Sequence, residues 1–215
     1  MTHDVSIKFV IFVHHLSRKL PGYMFTTIEP KRVSCRDCKE KSCAAATLNL
    51  AEIDLITDNR SEAEFKKGDI ILHEGSMTSH IIYLKSGLVK EYIKGSNGKE
   101  QILQIVKSFS YLGLPSLFGA KVNYYSYAAL EDITVCYIDV NTFTSLIKQN
   151  GKFAYEILVS VSRDSLNNFH RVMSQSQKKT YGRVAEAILY FARIIYEDME
   201  FEIPFSRQEF ADLIG

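Results

Sequence analysis

Along the chain the apolar positions change their period. From about 63 to 140 they fall in short runs rich in isoleucine, valine and tyrosine, such as "LVKEYI", "QILQIV" and "ITVCYI", divided by "KKGD", "HEGS", "KSG", "GSNGKE" and "YLGL". Runs punctuated in this way predict antiparallel strands of a jelly-roll or β-roll. "GSNGKE" between two of them predicts a hairpin tip. After Asn141 the period becomes helical. "NTFTSLIKQN" predicts a short helix, and 152–178 a long one with Ile157, Leu158, Val161, Phe169 and Val172 at turn-like spacing, interrupted by Ser165 and Asn168. "YGRVAEAILYFARIIYE" predicts a third helix, with Val184, Ile188, Leu189, Phe191 and Ile195 apolar. An extended "MEFEIPF" follows.

Capping signals fix two more helices. Asn49 with Glu52 three residues on predicts a helix start, and Leu50, Ile53, Leu55 and Ile56 supply its apolar positions. Ser206 with Glu209 repeats the pattern in "SRQEFADLIG", where Gly215 stands at the turn. The stretch ahead of all this differs: "KLPGYMFTTIEPKR" is broken by prolines and a glycine. Residues 1–34 read as an N-terminal extension, with Met24 as a possible internal start.

Composition narrows the classes. The chain has 215 residues, 46% of them hydrophobic, enough for one medium domain plus something smaller. The apolar run "FVIFV" at 9–13 falls far short of the roughly 20 residues a membrane span needs. No secretory cleavage pattern follows it, so the expected location is cytoplasmic. The net charge of +1 advertises no global attraction to nucleic acid. No Gly-x-Ser-x-Gly, Walker or zinc-protease spacing is present and the six histidines are scattered, which argues against an enzyme.

The chain has four cysteines, and three of them, Cys35, Cys38 and Cys43, crowd into "SCRDCKEKSC". In a reducing compartment such clusters serve metals or redox chemistry more often than structural disulfides. Lys31, Arg32, Arg36, Lys39 and Lys41 outnumber Asp37 and Glu40 around them. Excess positive charge favours thiolates. Four thiolates suit a four-iron, four-sulfur cluster and suit zinc equally well. Alone in its strand, Cys136 reads as a small buried hydrophobe.

The roll, the long helix and the ending "FSRQEFADLIG" together resemble the cyclic-AMP receptor and FNR superfamily of bacterial transcription regulators. The likeness spans about 35–215 and rests on "KKGDIILHEGSMTSHIIYLKSGLVKEYI", "ALEDITVCYID" and the helix-turn-helix beginning. It implies an α+β chain: a sensor β-roll at 35–150, a dimerisation helix at 151–178, and at 179–215 the first part of a truncated winged helix-turn-helix. Ile157, Leu158, Val161, Phe169 and Val172 are the expected dimer interface, and Ser206, Arg207 and Gln208 the expected DNA contacts. DNA, RNA polymerase and a second copy of the chain are the implied partners.

Within the superfamily, Cys-x2-Cys-x4-Cys plus a late lone cysteine resembles the FNR branch, an oxygen sensor with a four-iron, four-sulfur cluster. The resemblance makes Cys35, Cys38, Cys43 and Cys136 the ligands. It departs from the branch in one respect, since "KEKS" puts four residues where the family has five. Cyclic-AMP binders of the superfamily use a glutamate and an arginine-serine pair. Leu114, Asn123 and Tyr124 stand at those positions here, and a buried phosphate without its guanidinium is costly. Cyclic AMP is therefore not expected.

Overall fold

The run "HIIYLKS" carries the layering of the molecule. In β3 (His80–Ser86) Ile81 and Tyr83 face one core while Ile82 and Leu84 face another, so alternate side chains serve opposite sides of one strand. This computed structural model describes residues 34–77, 79–95 and 98–215, which belong to one compact unit. Residues 1–33 of the N-terminal extension, including the internal start that Met24 offers, lie outside the described residues, as do two residues of the "GSNGKE" tip.

α1 (Leu50–Asp58) is followed by β1 (Arg60–Phe65), β2 (Ile70–Leu72), β3, β4 (Leu88–Lys94), β5 (Glu100–Lys107) and β6 (Ser110–Leu112). Then come α2 (Leu114–Gly119), β7 (Ser126–Ala129), β8 (Ile133–Asp139), α3 (Val140–Gln149), α4 (Gly151–Gln177), α5 (Thr180–Tyr190) and α6 (Arg207–Ile214). The strands form two four-stranded antiparallel sheets, ordered β1-β8-β3-β6 and β2-β7-β4-β5.

Three cores separate the layers. Between the sheets, Ile82, Leu84, Val89, Leu112, Ile133 and Val135 meet. On the outer face of the first sheet, Ile81, Tyr83 and Ile138 pack against Ile53, Phe143 and Phe153 from the helices. On the outer face of the second, Leu88, Tyr92, Ile102 and Ile105 pack against Phe191 and Leu213.

Both capping boxes form as expected, at Asn49/Glu52 and at Ser206/Glu209. Two elements differ from the sequence reading. "YLGL" is not a plain turn: Gly113 adopts φ +79° and starts α2, with Pro115 in the first helical turn, where its missing N–H costs nothing. The third helix is not uniform either, because α5 gives way to a wider π-turn over Phe191–Ile195.

The long helix corrects the expected dimer stripe. Phe153, Ile157 and Val161, spaced by four, turn inward; Ile157 is 4% exposed and belongs to the core against the first sheet. Leu158, Phe169 and Val172 are exposed, together with Tyr155, Leu166 and Met173. The sequence stripe joined two faces, because residues one apart on a helix diverge by about 100°.

Candidate functional site

Antiparallel register assembles one wall of a small cavity. In β1, β8 and β3, Glu62 pairs with Cys136 and Cys136 with Tyr83, so the three side chains share a face. Arg60 and Ile138, paired two positions along, share it too. The opposite wall is the loop before α1. It is tied down by the Cys35 N–H donating to Thr57 Oγ1 (3.2 Å), the Tyr83 hydroxyl donating to the Glu40 carbonyl (2.6 Å), and Ser42 Oγ bonded to Tyr111 Oη (2.9 Å). Arg36 closes its outer edge on Asp54 through a two-pronged ion pair.

The resulting cavity, of about 60 Å³, is lined by Cys35, Cys38 and Cys136 with Arg60, Lys85 and Tyr83. Arg60 Nη1 donates to the Cys136 sulfur at 3.3 Å and to Glu62 at 3.1 Å. Lys85 bridges Glu62 (3.0 Å) and Glu40 (3.6 Å). Burial pushes the Cys136 thiol up to about 11, and the Arg60 charge acts against that rise. Cys43 lies elsewhere, exposed and at the rim of a second cavity. Among the described residues no three His, Cys, Asp or Glu groups stand close enough to hold a metal. In number and kind four thiols suit a cluster or zinc; three of them line one cavity and Cys43 does not.

The second cavity, about 320 Å³, lies between β4, β5, the start of α2 and the middle of α4. Its floor carries Glu91, 6% exposed, which accepts from Gln104 Nε2 at 2.6 Å. Burial raises the Glu91 carboxyl above its ordinary range, and the nearby Asp164 charge adds to the rise. Leu114 is buried at the head of α2, the Asn123 amide is committed to Ser76, and Tyr124 is exposed. The charged groups of a cyclic-nucleotide site are absent from those three positions. Glu91, which sequence reasoning missed, sits in a strand whose "KEYI" gives no sign of burial.

Ser206 caps α6 by accepting the Glu209 N–H, and Gln208 donates to Asp212 at 2.9 Å. Arg207 and Gln208 are exposed.

Comparison with known proteins gives these features a setting. Residues 62–150 match the cyclic nucleotide-binding domain family. The chain is 24% identical to Electron transport regulator A of Shewanella oneidensis, over 85% of this chain and 75% of that protein. It is 25% identical to the Fumarate and nitrate reduction regulatory protein of Yersinia pestis, with the same coverage of 85% and 75%. Among solved structures, a putative Crp/FNR-family transcriptional regulator from Eubacterium rectale superposes with TM-score 0.66 at 21% identity, over 79% of this chain and 78% of that one. The c-di-GMP-responsive regulator CLP of Xanthomonas campestris gives 0.66 at 16% identity, over 77% and 84%.

Residues 62–150 thus match a cyclic nucleotide-binding domain, and over most of its length the chain is similar to the regulators named above. The relatives are regulators and not enzymes, in agreement with a non-catalytic regulatory chain. Among the described residues no helix is long and apolar enough to cross a membrane.

Proposed function

We propose that the chain is the sensing part of a DNA-binding transcription regulator that reads redox state through an iron–sulfur cluster on Cys35, Cys38, Cys43 and Cys136. The observation that carries this reading is the shared cavity: Cys35 and Cys38 line it together with Cys136, from a distant strand, and with the cations of Arg60 and Lys85. A cluster held by four thiolates is anionic, and two cations at the wall offset that charge in a half-buried setting. When bound, the cluster supplies an oxidisable centre. The chain supplies the thiolates, and Tyr83 and Ile138 shield one side from water. The four-residue gap before Cys43 and its exposed position leave zinc as the second reading, since a single ion accepts the same donors.

DNA, RNA polymerase and a second copy of the chain are the proposed partners, the last through Leu158, Phe169 and Val172. The signal acts by shifting a marginal association.

Protein purified without oxygen tests this directly. Broad brown absorbance with near-equal iron and sulfide is expected, lost in Cys→Ser variants at each of the four positions. Colourless protein with one zinc per chain would establish the second reading.

A further inference from the structure

The outer face of the second sheet is covered by the segment expected to begin the DNA-reading unit. Leu213 of α6, 6% exposed, enters the core formed by Leu88, Tyr92, Ile102 and Ile105, and Phe210 packs against it. Polar contacts frame this apolar patch. Lys90 of β4, its side chain 12% exposed, places Nζ 2.9 Å from Glu209 and 3.0 Å from Glu100. Gln101 of the edge strand donates to the Asp212 carbonyl at 2.7 Å. Arg171 of α4 joins both elements by donating to the carbonyls of Ile102 (2.8 Å) and Leu213 (3.3 Å).

In a helix-turn-helix the two helices cross steeply about a short turn and pack on each other through their apolar sides. The apolar side of α6 is Phe210 and Leu213, and here the sheet holds it. One side cannot pack on two partners at once.

We propose that this contact is a latch: the β4–β5 face of the sensor occupies the side of α6 that a second helix needs, so DNA reading requires its release. Lys90 is the polar pin, because it grips Glu209, the residue that also closes the capping box of α6. This inference rests on the reading of α6 as the start of a DNA-binding unit.

Hydrogen exchange on the 215-residue chain tests the contact. Lys90→Glu sets a new carboxylate against Glu100 and Glu209, and should speed exchange of the 208–214 amides at least tenfold while β3 and β8 keep their protection. Adding Glu209→Gln to that variant keeps the capping box while removing the repulsion, and should restore part of that protection. Unchanged α6 exchange in Lys90→Glu, or no recovery in the double variant, would overturn the latch. In a chain continued through a second helix and wing, Lys90→Glu should bind a selected palindrome several-fold more tightly, although added negative charge by itself weakens DNA binding. Equal or weaker binding overturns the inhibitory role. If no form of the longer chain binds DNA, wild type included, the DNA-reading assignment falls, and the exchange result still decides the contact.

Discussion

Arg60 and Cys136 lie 76 residues apart, yet the guanidinium donates to the sulfur across 3.3 Å. The pairing follows from β1 and β8 being antiparallel neighbours, and it places a fixed cation against the most buried thiol of the chain.

Thiol reactivity should reflect that placement. In reduced, metal-stripped protein, iodoacetamide should label exposed Cys43 first and buried Cys136 last. The thiolate is the reacting form, so Cys136 labelling should climb with pH towards its value of about 11. Arg60→Gln removes the charge that favours the thiolate and should slow Cys136 several-fold, read by mass spectrometry of the peptides.

Glu91 should make stability depend on pH. Its carboxyl is raised in the folded state by burial, so folding favours the protonated form. The sign follows: its contribution is most favourable below the unfolded carboxyl value of about 4.3 and is lost as pH rises through the folded value. Glu91→Gln should therefore stabilise the protein by about 1 kcal/mol at pH 7 and lose that advantage below pH of about 4. Urea unfolding at both pH values checks it.

Gly87 joins β3 to β4 at φ +86°, and a Cβ there would lie 2.7 Å from Ile133 Cγ2 and 3.0 Å from the Asp132 carbonyl. Strain and clash act together. Gly87→Ala should cost about 2 kcal/mol in denaturant unfolding.

The two faces of α4 should answer differently to charge. Phe169→Glu, on the exposed face, should leave the unfolding midpoint nearly unchanged and shift sedimentation towards monomer. Ile157→Asp buries a charge in the core and should unfold the chain. An unchanged dimer fraction in Phe169→Glu would remove that face from the interface.

Cyclic AMP should give no heat at low-micromolar concentrations in calorimetry. The positions Leu114, Asn123 and Tyr124 offer it neither carboxylate nor guanidinium.

What could be read in the sequence was local. The apolar run of β3 and the caps at Asn49 and Ser206 each act within a few residues, and their elements form where expected. α2 was hidden because Gly-Leu-Pro reads as a turn, although proline fits the first turn of a helix. That Cys136 lines one cavity with Cys35 and Cys38 depends on strand order, which no local signal carries. The position of Cys43 depends on the 3-10 turn that follows it at Ala45–Thr47, and spacing alone could not show that. The covering of β4 and β5 by α6 joins residues over a hundred positions apart, as in Lys90 with Glu209.

The third core has a practical consequence for anyone cutting this protein. Periodicity draws a neat border after the long helix, at Lys178, but Leu88, Tyr92, Ile102 and Ile105 rely for cover on residues beyond that border. A sensor expressed only to that point would present a contiguous greasy plate to water, the kind of surface that recruits other copies or precipitates. Self-association measured on such a piece would then report the scissors rather than the long helix.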